Sequence, residues 1–228
     1  MSAESSPDRN QEFEGVSLRD VIDTDAVGDT VLFVGPAMTG KQPMAVDLLG
    51  AVTRAYGHPF AVTTMDTPEQ LRTLYRRQVS AADDLRELVV IECLPENRTH
   101  DDERVYAAGS PGDLSGIARA VADAFENTPG REQDGPRLLI NDISTLLLYA
   151  NIETVTRFVH ALMGRVTTQN GVLVATLDTD GISETERQTM TRLFETVIEV
   201  RAVDGATELR AESGPDGWQR LGTHGGED

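Results

Sequence analysis

Short apolar runs alternate along this chain with longer stretches in which apolar positions recur at helical spacing. Thr30-Val-Leu-Phe-Val34, closed by Gly35, predicts a buried parallel strand. Met44, Ala45, Leu48, Leu49 and Val52 mark one helical face over 41–55, and Gly57 ends it. Phe60-Ala-Val-Thr-Thr64 predicts a second strand; Thr67 as N-cap and Pro68 at the first helical position then open a helix to about Arg77. Leu88-Val-Val-Ile91 is the third strand. Asp113 caps a helix to about Asn127, and Arg137-Leu-Leu-Ile140 is the fourth strand. Ile152, Val155, Phe158, Val159, Leu162 and Val166 stripe a helix over 152–168, and after the Asn170-Gly171 turn Val172-Leu-Val-Ala175 is the fifth strand. A helix near 184–194 and a strand through Thr196-Val-Ile-Glu-Val200 follow. Alternation around Asp204-Gly205 and Pro215-Asp-Gly217 predicts an antiparallel hairpin or small meander ending near Leu221. Ser17 is placed to cap a short turn through Val21 and Ile22. The polar stretches 95–112 and 128–136 read as loops.

Strand and helix thus alternate for most of the chain, with antiparallel strands at the end. That order predicts an α/β fold with a mostly parallel sheet covered on both faces. The expected organisation is a polar tail over 1–14, one domain over 15–221 and a tail over 222–228, with no internal repeat. A length of 228 residues suits one substantial core.

Charge changes this picture most. Asp and Glu number 38 against 20 Lys and Arg, a formal charge of −18, and 39% of residues are apolar. Such an excess repels nucleic-acid phosphates unless a basic patch overrides it, and the sequence has none. An acidic surface suits concentrated salt, where the Debye length falls to ~3 Å near 1 M. Of the basic residues nineteen are Arg, and Lys41 is the only lysine. The lone Cys93 permits no intramolecular disulfide, and His58, His100, His160 and His224 have no ligand spacing. No apolar run approaches the ~18 residues of a membrane span, and the first ten residues lack the pattern of a secretory signal. A cytoplasmic location is the expectation.

The lone lysine falls in a motif. Gly35-Pro36-Ala37-Met38-Thr39-Gly40-Lys41-Gln42 fits the phosphate-loop template between a strand and a helix, except at its last position, where Ser or Thr is expected. Gly35 and Gly40 let the backbone turn its N–H groups toward an anion, here the phosphates of ATP, and Lys41 would reach the β- and γ-phosphates. Gln42 replaces the hydroxyl that ligates Mg²⁺, and Pro43 removes a backbone donor. One charge-assisted hydrogen bond lost weakens binding by roughly 1.5–3 kcal/mol. A second expected element, an acid at the end of an apolar strand holding Mg²⁺ through water, is supplied by Arg137-Leu-Leu-Ile-Asn141-Asp142. A one-residue shift turns the side chain to the other face, so Asn141 and Asp142 both stay open for that place.

Val31–Lys41, with the stretch Leu138-Leu-Ile-Asn-Asp-Ile-Ser-Thr-Leu-Leu-Leu-Tyr149, Glu153-Thr-Val-Thr-Arg-Phe158 and Gly164-Arg165, resembles the RecA superfamily, in particular its KaiC-like branch from haloarchaea. The resemblance covers about residues 28–202 and implies a RecA-like three-layer sandwich. It aligns the strand-end acid with Asn141 and a following Ser with Asp142. Active members carry a Glu, often a pair, after the second strand to activate water. Here that region reads Thr63-Thr-Met-Asp66-Thr-Pro-Glu69, so Asp66 is either a shorter catalytic base or a loop acid. Thr176 and Asp178 fall where such folds sense the γ-phosphate. The leading expectation is a nucleotide-binding regulatory or signalling protein with weak or absent hydrolysis. The alternatives are an interaction scaffold that binds no nucleotide, and a working ATPase or kinase using Lys41, Asp142 and Asp66. Protein partners or self-association suit the sheet edges and acidic surface.

Overall fold

The structure, a computed structural model, describes residues 18, 28–53, 57–79, 86–93, 101–128, 135–211 and 217–221. The expected tails lie outside those residues, as does the turn from Ser17 through Val21 and Ile22 except for Leu18, which is buried. Nine strands form one sheet: β1 Thr30–Gly35, β2 His58–Thr63, β3 Val89–Glu92, β4 Val105–Ala107, β5 Pro136–Asn141, β6 Val172–Asp178, β7 Thr196–Val203, β8 Ala206–Ala211 and β9 Gln219–Arg220. Their order is β4-β3-β2-β5-β6-β1-β7-β8-β9. Every pair from β4 to β7 is parallel, and β8 and β9 add antiparallel. Among the described residues six complete helices accompany the sheet: α1 Lys41–Thr53, α2 Pro68–Val79, α3 Leu114–Asn127, α4 Ile143–Tyr149, α5 Ile152–Thr167 and α6 Glu184–Thr191.

Alternation along the strands sorts the core into two faces. Leu32, Val34, Phe60, Val62, Leu138 and Ile140 pack with residues of α3, α4 and α5. Val31, Phe33, Ala61, Val90, Leu139 and Val174 pack with α1 and α2 on the other side, where β7 and β8 contribute Ile198, Val200 and Leu209. The result is a three-layer α/β sandwich with antiparallel strands at one end. Strands buried on both faces carry continuous apolar runs, which is why β1 and β5 are legible in the sequence.

Two elements depart from expectation. The stretch read as a loop over 95–112 contains β4, a three-residue edge strand paired with β3 through Val90↔Val105 and Ile91↔Tyr106. Val105 and Tyr106 are only partly buried and Ala107 is exposed, so no apolar run announces it. Helix α4 follows β5 with no spacer, Asp142 as its N-cap and Ala150 as its C-cap. At seven residues it is too short to show a helical repeat, and it buries only Ile143 and Leu146. No helix among the described residues is long and apolar enough to cross a membrane.

Candidate functional site

Gly35, Thr63, Asn141 and Asp178 end β1, β2, β5 and β6, which are neighbours in the order β2-β5-β6-β1. Parallel sheets place their loops and helix N-termini at the carboxyl ends of their strands, and ligand crevices form there. A cleft of about 530 Å³ opens at that edge, lined by the turn after β1, the residues after β2, the ends of β5 and β6, and the exposed Met38 and Met65.

The turn from Gly35 to Lys41 is curled. Met38 and Gly40 take positive φ (59° and 86°), and Thr39 Oγ1 donates to the Pro36 carbonyl at 2.9 Å. Lys41, 4% exposed, opens α1 and folds its ammonium into the turn. There Nζ donates to the Pro36 carbonyl oxygen and to Thr39 Oγ1 (3.2 Å), and pairs with Asp178 Oδ1 at 2.7 Å. Asp180, which the sequence reading passed over, accepts from the Ala37 N–H at 2.8 Å. Two carboxylates from the end of β6 and the turn after it thus hold the turn's lysine and one of its amides. Asp178 is fixed through its backbone, whose N–H donates to Ser144 Oγ at 2.6 Å while its carbonyl accepts from the same hydroxyl at 3.2 Å. Pro43 falls in the first turn of α1, where a backbone N–H has no partner within the helix, so the helix tolerates it.

Across the cleft, Asp66 is clamped. Gln42 Nε2 lies 2.5 Å and Asn141 Nδ2 3.0 Å from the same oxygen, Asp66 Oδ2. An ionised carboxylate only accepts, so both amides must present nitrogen to it. Thr176 Oγ1, 2% exposed, completes the chain by donating to Asn141 Oδ1 at 3.3 Å. The backbone of Asp66 is also pinned, since its N–H donates to Thr63 Oγ1 and its carbonyl accepts from that hydroxyl. Glu69, by contrast, is an exposed residue in the first turn of α2.

Asn141 and the next residue both border the cleft but do different work. Asp142 accepts from the Thr145 N–H at 2.8 Å and so caps α4. Burial pushes its carboxyl above the ordinary carboxylate range and the negative Asp178 adds to this, against the Thr145 hydrogen bonds and the Lys41 charge. Elsewhere, burial and the neighbouring Glu92 push the Cys93 thiol up to about 12, so it stays protonated near neutrality and offers no thiolate.

The donor set is not that of a preassembled divalent-cation site. Among the described residues no group of three His, Cys, Asp or Glu side chains is placed to hold a metal. Within the cleft one oxygen of each carboxyl group already has a partner: Asp66 Oδ2 the two amides, Asp142 Oδ1 the helix cap and Asp178 Oδ1 the Lys41 ammonium.

Residues 28–200 match a family of unknown function, DUF7504. The chain belongs to that family. The matched region runs from just before β1 into β7 and so contains every residue of the cleft in this DUF7504 member. No curated protein matches the chain.

Proposed function

We propose that this DUF7504 protein binds a nucleotide through the turn between β1 and α1, and serves as a regulatory or signalling protein with weak or absent hydrolysis. The observation that carries the reading is Lys41: the only lysine of the chain, buried, with its ammonium drawn into a curled turn at a helix N-terminus. Backbone N–H groups at a helix start and a fixed ammonium form an anion-binding arrangement. This agrees with the resemblance to KaiC-like members of the RecA superfamily. ATP is the expected ligand. Weak hydrolysis is supported by the clamp on Asp66, whose Oδ2 is held by two side-chain amides and so is not free to position an attacking water.

A second reading is favoured by the acids. Asp178 on the ammonium and Asp180 on the Ala37 N–H already supply the negative charge that the turn attracts, which suits a scaffold that binds no nucleotide. Thermal melts in molar KCl separate the two. A ligand at about 100 times its Kd adds roughly 2.7 kcal/mol of stability, which raises the midpoint by several degrees in a domain of this size. Under the nucleotide reading ATP gives such a rise with the native chain, Lys41→Gln loses it, and phosphate release stays at background. Under the scaffold reading ATP moves neither the native chain nor Asp178→Asn, in which the lysine is released.

A further inference from the structure

We infer that the amides of Gln42 and Asn141 take the place of a divalent cation, so that this site binds phosphate without Mg²⁺. The inference rests on the nucleotide reading above and narrows it. Gln42 lies in the first turn of α1, Asp66 follows β2 and Asn141 ends β5, so the clamp joins three separate elements that line the cleft. A cation placed among these residues would draw on Asp66 and would be held more strongly by a hydroxyl or carboxylate at 42 and 141 than by neutral amides. The chain has uncharged amides at both positions, and each directs one N–H to Asp66 Oδ2.

The pairing is internally consistent. Asn141 is 6% exposed, with its nitrogen turned to Asp66 and its oxygen to the Thr176 hydroxyl. With Asp at this position, two carboxylate oxygens would face each other at the 3.0 Å now spanned by a hydrogen bond. Such a pair needs a bound cation or a shared proton, since like charges so close do not both ionise. Asn141 removes that need, and Gln42 supplies a second donor where a cation would have stood. The cleft holds the carboxyl groups of Asp66, Asp142 and Asp178 against one ammonium. Molar monovalent salt screens the solvent-facing part of that acidic excess over ~3 Å, which eases phosphate entry without a divalent ion.

The experiment has two arms, both in molar KCl at constant ionic strength. The first uses no nucleotide and compares thermal midpoints in millimolar MgCl₂ and in EDTA. The native midpoint is expected to be the same in both, whereas Asn141→Asp, a substitution that changes a single heavy atom, and the pair Gln42→Thr with Asn141→Asp are expected to melt several degrees higher in MgCl₂. A native chain that gains as much from MgCl₂ as these variants overturns the inference. The second arm measures ATP and tripolyphosphate binding calorimetrically. Native affinity is expected to agree within about twofold between the two buffers, and a loss of about tenfold or more in EDTA, or ~1.4 kcal/mol, overturns the inference. Absence of ATP binding in both buffers overturns the nucleotide reading and with it metal-free phosphate binding. The first arm then shows on its own whether the amide clamp replaces a cation.

Discussion

Asp142 carries two demands on one carboxyl group. As N-cap of α4 it accepts from the Thr145 N–H, which favours the ionised form, while burial and the nearby Asp178 favour the protonated one and prevail. A carboxyl whose folded pKa lies above its unfolded value contributes stability that is fully present below the ordinary value of 3.8 and is lost as pH rises through the raised folded value. Asn caps helices as well as Asp does and carries no charge. Asp142→Asn is therefore expected to stabilise the protein near neutral pH, with the gain shrinking toward zero in acid. Urea denaturation across that range checks it, and a gain that grew as pH fell would contradict the sign. At this scale the sequence is uneven to read. Lys41 is recognisable because glycines at fixed offsets frame it. Asp180 is not, because nothing local distinguishes a carboxylate that reaches back to Ala37 across 143 residues. Likewise Gln42 and Asn141 each look like the loss of a metal ligand when taken singly. Only the fold reveals that both serve the same oxygen of Asp66, 24 and 75 residues distant in the chain.

Among the elements, β1 positions the turn, and its last residue shows how tightly. Gly35 lies against β7, where an added Cβ would stand 2.0 Å from the Val200 carbonyl oxygen, a backbone atom with no rotamer to move. Gly35→Ala must push β7 away from β1. Because β1 also pairs with β6, the shift passes into the turn that Lys41 closes. Overpacking of this kind costs roughly 1–3 kcal/mol, and a backbone contact belongs at the upper end. The expected result is a midpoint lowered by several degrees together with loss of any ATP-induced shift, measured in the same melts. A chain that tolerated alanine here without change would mean that β7 does not press on the turn. The elements with a continuous apolar run, such as β1 and β5, or a clear helical stripe, such as α3 and α5, were legible from the sequence because burial on one or both faces writes itself into residue choice. The exceptions, β4 and α4, are short and bury little, so tertiary contact decides them rather than local pattern. That asymmetry matters for the site, since α4 carries both Asp142 at its cap and Ser144, which holds the backbone of Asp178.

For the whole molecule the deciding quantity is the charge of −18. Salt acts on it in two opposing ways. It weakens surface ion pairs such as Arg187–Glu184, Arg201–Glu208 and Arg210–Glu199, and it screens repulsion among the excess carboxylates. Exposed pairs contribute about 0–1 kcal/mol each, and their charges cancel locally. The uncompensated acids repel one another over the whole surface, at separations within the Debye length of ~10 Å at 0.1 M but beyond the ~3 Å at 1 M. Screening should therefore win, and the thermal midpoint should rise between ~0.1 M and ~1 M KCl, the interval in which the Debye length shortens from ~10 Å to ~3 Å. The shape of the curve identifies the cause. Repulsion relieved by screening gives a rise that flattens above ~1 M, whereas exclusion of salt from the protein surface keeps raising stability with concentration. A midpoint that is flat or falling up to ~1 M would mean that the local pairs outweigh the global excess, and the acidic surface would then need an explanation other than salt.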